Sequence, residues 1–288
     1  MPGSTFKRSL MALICMSGIV GCAPSLPPSI SLDQAQTQVI PYLRTFQPAG
    51  TGAHPTVIFL HGASDKSWYS VYDDMAQRFV ANGYGIVFVD MYSGRGSNGQ
   101  AARSGHLLPK QTAGDLMIAL DWAKRQPWVD ADRVYAVGTS FGGATIMDAM
   151  VYADPAKVPL GVSENPVNEL DGLRAAVLWA PLCIGDVMGF NIVASLHEPF
   201  HANVPVLALI PEADQVSSPE ICKSILNRNR TADRPVDIIG YPATGHSFMI
   251  EADEYGAQMA DYDAAKAEDA WKRTFAFLAG YGGPAQRN

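Results

Sequence analysis

The stretch Gly138-Thr139-Ser140-Phe141-Gly142-Gly143 sets a serine between two glycines, each two residues away. An apolar run, Val134 to Val137, leads into it, and a helical pattern from Gly142 to about Ala153 leaves it. Strand, sharp turn and helix are the context in which Gly-x-Ser-x-Gly displays a nucleophilic hydroxyl. Strand and helix can approach so closely only if positions 138 and 142 are nearly free of side chain. Serine is a poor nucleophile at neutral pH and needs a base within hydrogen-bond reach, and the base needs an acid to fix its tautomer. His246 lies in Gly245-His246-Ser247-Phe248, after the last apolar run and before the C-terminal helical pattern. His54, His197 and His201 precede apolar runs instead, and His106 sits in a long loop. Two acids, Glu212 and Asp214, follow the run Val206 to Ile210, and Asp186 follows the run before it. Charge developing on a carbonyl oxygen needs two N–H donors. Phe141 supplies one, and the turn His61-Gly62-Ala63 the other, with Ala63 preferred and Gly62 the alternative. His61 itself is read as shaping that turn.

These residues need a scaffold that brings separate loops to one edge. Apolar runs at Thr56 to Leu60, Gly85 to Val89, Val134 to Val137, Ala175 to Ala180, Pro205 to Ile210 and Val236 to Tyr241 read as buried strands. Helical patterns lie between and after them: Tyr69 to Ala81, closed by Asn82-Gly83, then Thr112 to Gln126, Ser218 to Asn227 and Ala257 to Ala279. Thr37 to Phe46, broken by Pro41, reads as an edge strand. The alternation implies an α/β fold with a parallel sheet covered by helices on both faces. In such sheets sites form at the carboxyl ends of strands, where Ser140, His246 and the candidate acids all fall.

The N-terminal residues read as targeting sequence. Lys7-Arg8 precede an apolar run, Leu10 to Val20, that is too short to span a bilayer. The run ends in Ile19-Val20-Gly21-Cys22, which resembles the lipobox of bacterial lipoproteins. That resemblance implies a signal peptide over residues 1–21 and lipidation of Cys22, holding the protein to a membrane on the periplasmic side. Residues 22–35, with Pro24, Pro27 and Pro28, read as a tether, and residues 36–288 as one catalytic domain. A net charge of −7 argues against a nucleic-acid partner. Cys183 and Cys222 remain as an even pair that an oxidising compartment could join.

The order of these features is similar to that of the dienelactone hydrolase family within the α/β-hydrolase superfamily. The resemblance is carried by His61-Gly62, by Asp90-Met91-Tyr92 with Arg95-Gly96, by Gln126-Pro127-Trp128-Val129-Asp130, by the serine turn, by Asp214 and by Gly245-His246-Ser247-Phe248. It covers about Thr56 to Phe277. It implies an α/β-hydrolase sheet of about seven strands, selects Asp214 over Glu212 as the acid, and implies a small ester or lactone as substrate with no metal and no organic cofactor. The family's namesake enzymes use cysteine where this chain has Ser140, and an acid where it has Gly62. Their arginines clamp a substrate carboxylate, and Arg95 is the candidate for one of them. Trp68, Trp179, Met188 and Phe248, near strand ends, are candidates for the pocket wall.

Two other patterns carry less. His197-Glu198-Pro199-Phe200-His201 spells a zinc motif that works only on a helix, which Pro199 breaks. Gly94-Arg95-Gly96-Ser97-Asn98-Gly99 spells a dinucleotide fingerprint without a clear helix behind it.

Overall fold

A computed structural model describes residues 29–166, 170–185 and 191–284. A seven-stranded sheet forms its centre: β1 (Leu43–Phe46), β2 (His54–Leu60), β3 (Gly85–Val89), β4 (Val129–Thr139), β5 (Leu173–Trp179), β6 (Val206–Pro211) and β7 (Val236–Tyr241). The spatial order is β1-β3-β2-β4-β5-β6-β7. Only β1, at the edge, runs antiparallel to its neighbour. This is the α/β-hydrolase architecture.

Strand alternation sends side chains to two separate cores. In β2, Ile58 and Leu60 join one cluster, while Val57 and Phe59 join the other. The first cluster is closed by α1 (Leu32–Val39), α4 (Pro109–Lys124), α5 (Phe141–Tyr152) and α6 (Pro219–Arg228). The second is closed by α2 (Ser70–Ala81) and α7 (Ala264–Gly280). A short helix, α3 (Gly99–Arg103), completes the set. Burial on both faces explains why β2 and β3 read as unbroken apolar runs.

Three boundaries differ from the sequence reading. Leu32–Val39 is a helix, capped by Ser31, whose hydroxyl accepts the Gln34 N–H while the Gln34 side chain accepts the Ser31 N–H. Ala35 and Val39 are buried, so the packed chain begins inside the stretch read as tether, and only Leu43–Phe46 is edge strand. The last helix starts at Ala264, where Asp263 caps it, not at Ala257. The loop after β3 contains α3, which Asn98 caps. The signal-peptide and Cys22 readings lie outside the described residues, as do Asp186 and Met188. No described helix is long and apolar enough to cross a membrane.

Candidate active site

Ser140 follows β4 with φ of 50°, a left-handed conformation that costs a non-glycine residue of order 1–3 kcal/mol. Close packing holds it there. A Cβ on Gly138 would sit 2.6 Å from the Gly142 carbonyl group, and one on Gly142 would sit 2.2 Å from the Leu60 oxygen. The Ser140 N–H donates to Trp179 O (3.0 Å), and its own carbonyl accepts from Leu182 N (2.9 Å) and Ala144 N (3.1 Å). Strand, turn and helix are thus locked around the hydroxyl.

The loop after β7 brings His246 to that hydroxyl, with Nε2 2.8 Å from Ser140 Oγ. Nδ1 lies 2.6 Å from Asp214 Oδ2, on the loop after β6. The other Asp214 oxygen accepts the N–H groups of Val216 (2.8 Å) and Ser217 (2.9 Å). Burial by itself would raise the Asp214 carboxyl. The His246 hydrogen bond and charge, with those two amides, outweigh it and hold the group below the usual carboxylate range. An ionised Asp214 accepts the hydrogen bond from Nδ1–H, which keeps the proton on Nδ1 and leaves Nε2 as the acceptor facing serine. Glu212, the rival acid, points elsewhere and pairs with Lys223 at 2.8 Å.

The turn after β2 faces Ser140 from the other side. A Cβ on Gly62 would lie 3.6 Å from the Ser140 Cβ. The Gly62 N–H is already committed to the Tyr72 hydroxyl (3.0 Å), and its carbonyl accepts from His61 Nδ1 (2.7 Å) and the Tyr92 hydroxyl (3.2 Å). Among the described residues, that leaves the next amide of the turn, Ala63, as the donor without a backbone or side-chain partner. Phe141, the first residue of α5, presents its amide at the positive end of a helix. Ala63 and Phe141 line one cleft of about 620 Å³ together with Ser140 and His246.

His61 is fully buried and must be neutral. Nδ1–H donates to Gly62 O, while Nε2 accepts from Met91 N–H (3.1 Å). Burial pushes its pKa down to about 4. The folded state therefore resists a proton that the unfolded chain takes up near pH 6.5. Stability contributed by neutral His61 is present above about pH 6.5 and is lost as pH falls through about 4. Unfolding curves of wild type and His61→Gln should show it: the advantage of wild type shrinks across that window. A pH-independent difference would contradict it.

The profile of the dienelactone hydrolase family matches residues 44–282. The chain belongs to the dienelactone hydrolase family. A Salmonella typhi protein named provisionally as a carboxymethylenebutenolidase is 28% identical over 253 residues, covering 82% of this chain and 80% of that protein. An Escherichia coli K12 protein of the same name is 28% identical over 222 residues, covering 73% and 72%. Among solved structures, a Klebsiella pneumoniae protein assigned provisionally as a dienelactone hydrolase superposes with a TM-score of 0.62 at 21% identity, over 83% of this chain and 92% of that one. Thermogutta terrifontis esterase 2, phosphorylated by paraoxon, superposes with a TM-score of 0.65 at 15% identity, over 85% and 90%.

Four pocket assignments do not hold: Arg95, drawn from the dienelactone hydrolase pattern, and Trp68, Trp179 and Phe248, drawn from their places near strand ends. Arg95 is turned into the protein, where it forms a two-pronged pair with buried Asp115 at 2.6 and 2.7 Å and donates to Met91 O. It does not line the cleft that holds Ser140. Trp179 ends β5 but points into the second core, where its indole N–H donates to Thr274. Phe248 is buried against Tyr241, with ring centroids 4.9 Å apart. Trp68 packs edge-on against Phe88, away from the cleft.

A residue the sequence reading passed over is Arg103, at the end of α3. Its guanidinium donates to Ala63 O (2.5 Å) and pairs with Asp65. The glycines of the apparent dinucleotide motif serve this packing. A Cβ on Gly99 would fall 2.1 Å from Ser64 O, and one on Gly94 would fall 1.7 Å from Gln38 O. They admit α3 against the 61–65 turn and α1 against the loop after β3. His197 lies past the one-turn 3-10 segment Ala194–Leu196, on no helix. Among the described residues no cluster of His, Cys, Asp or Glu is arranged to hold a metal ion.

Cys183 and Cys222 form a disulfide. It joins the segment after β5 to α6. Close by, Cys183 N–H donates to the Ser217 hydroxyl (2.7 Å), and Ser217 N–H donates to Asp214. The bridge therefore braces the loop that carries the acid. Closing a loop between positions 39 apart in sequence stabilises by about 4 kcal/mol in the chain-entropy model. Replacing both cysteines with alanine should lower the unfolding free energy by roughly that amount, read by denaturant titration under oxidising conditions. An unchanged midpoint would contradict it.

Proposed function

We propose that this dienelactone hydrolase family member is a serine hydrolase of carboxylic esters or lactones, working through Ser140, His246 and Asp214. The observation that carries the reading is the unbroken chain Asp214 Oδ2–His246 Nδ1 and His246 Nε2–Ser140 Oγ, at 2.6 and 2.8 Å, opening on a cleft. Ser140 Oγ attacks the ester carbonyl as His246 Nε2 takes its proton. The amides of Phe141 and Ala63 stabilise the resulting oxyanion, one such donor being worth about 2.7–4 kcal/mol in comparable sites. His246 then gives the proton to the departing alkoxide, leaving Ser140 acylated. Water, deprotonated by His246, attacks the acyl group and frees Ser140. Asp214 holds His246 in the productive tautomer throughout. No step calls for a metal or organic cofactor.

The same reading includes export and membrane attachment, with residues 1–21 as signal peptide, Cys22 lipidated, and a single catalytic domain behind a short tether. Its supports are the basic-apolar-Gly-Cys order of the N-terminus and the Cys183–Cys222 bridge, which suits an oxidising compartment. Ester and peptide substrates offered to the purified protein at matched concentrations test the activity. Hydrolysis of the ester with little cleavage of the peptide is expected, and the reverse preference would assign a peptidase.

A further inference from the structure

We propose that the cleft selects neutral esters with an apolar acyl group and rejects the carboxylate-bearing lactones that give the family its name. The inference rests on Ser140 being the nucleophile. Six apolar side chains from three separate segments converge on the cleft: Leu182, Ile184 and Ile192 beyond β5, Val216 beyond β6, and Ile250 and Met259 beyond β7. Val216 stands at the rim, 58% exposed, on the same short loop as Asp214. An apolar side chain left in water beside a reactive serine gains from being covered by an apolar substrate.

The cations tell the same story. A carboxylate entering this cleft gives up its water and needs a positive partner. Among the described residues that line it, the only lysine or arginine is Arg103. That guanidinium is committed to Ala63 O, to the Asp65 carboxylate and, at 3.4 Å, to the Gln100 side-chain oxygen, and Asp65 also lies 3.3 Å from the Tyr255 hydroxyl. Pulling Arg103 onto a substrate would unpair Asp65 and release the Ala63 carbonyl, disturbing a proposed oxyanion donor. Arg95 is bound to Asp115 and is out of reach. The elements that would hold an anionic lactone are thus occupied, while the surface that would hold a hydrocarbon is open.

Paired substrates of one shape test this on the full purified chain. The 4-nitrophenyl esters of 5-methylhexanoic acid and of glutaric acid (as its monoester) differ only in replacing a terminal isopropyl group by a carboxylate. The neutral ester should have the higher kcat/KM by about 100-fold or more. Along straight-chain esters from acetate to hexanoate, kcat/KM should rise by about fourfold per methylene. Val216→Lys, at an exposed position, should shift the preference toward the glutarate monoester by about tenfold. A glutarate monoester cleaved as well as its neutral twin, or a Val216→Lys preference equal to wild type, would overturn the proposal. Calorimetry with 5-methylhexanamide and glutaramate reads the cleft without turnover. If no ester is cleaved, the Ser140 reading fails, and the binding preference still decides this one: tighter binding of the neutral amide supports it, equal or weaker binding overturns it.

Discussion

Replacing Ser140 with alanine should lower kcat/KM for a carboxylic ester by about 10⁵ to 10⁶-fold while leaving the fold intact. The size follows from what is lost. Without Oγ no acyl-enzyme forms, and the amides of Phe141 and Ala63 can only assist attack by water. Alanine keeps the Cβ that already sits at φ of 50°, so the strained turn is neither relieved nor worsened. The glycines at 138 and 142, and the backbone bonds to Trp179 O and from Leu182 N, are untouched. Ester turnover by Ser140→Ala at the wild-type rate, with unfolding unchanged, would remove Ser140 from the chemistry.

Asp214→Asn should cost about 10⁴-fold, through tautomer rather than through position. The reason lies in the two amides that donate to Asp214 Oδ1, from Val216 and Ser217. An asparagine keeps these bonds only by turning its carbonyl oxygen toward them. Its NH₂ group must then face His246 Nδ1, which becomes an acceptor, and the imidazole proton moves to Nε2. That nitrogen can no longer take the proton of Ser140. Glu212 cannot substitute, because it is held by Lys223 on α6. The variant should bind substrate with a similar KM and fail in kcat. A rate within tenfold of wild type would mean that Asp214 does not set the tautomer.

Much of this was readable from the residues. Buried parallel strands announce themselves as apolar runs, since both faces must be apolar, and β2 to β6 are visible for that reason, while β7, at the other edge with Asp237 exposed, shows only through its isoleucines and flanking apolar residues. The serine turn was legible because only glycine fits at 138 and 142. His246 was legible from its place after the last strand. Residue types alone could not separate Asp214 from Glu212, since both follow β6. The separation depends on the loop, which turns Asp214 onto the Val216 and Ser217 amides and sends Glu212 outward to α6.

What failed was side-chain direction. Trp179 ends β5 and Phe248 follows β7, yet both point into the core under α7 and beside β7. Arg95 follows the right strand, but Asp115, twenty residues later on α4, captures it. Strand position predicts height and leaves azimuth open, and azimuth decides which residues line a cleft. Arg103 was hidden for another reason. Its helix has five residues and sits in a Gly/Ser-rich loop, where the one signal is the Asn98 cap. The helix α1 carried a better signal, Ser31 followed by Gln34, which Pro41 and the β-branched residues after it obscured.

The most direct measurement of Ser140 as nucleophile is covalent capture. Purified protein is treated with paraoxon, residual esterase activity is followed, and the modified peptide is mapped by mass spectrometry. The expected result is one diethylphosphoryl group per chain, on Ser140, with activity lost in proportion to modification and no labelling of Ser140→Ala. Full activity with Ser140 unmodified, or inactivation with the adduct on another residue, would contradict it.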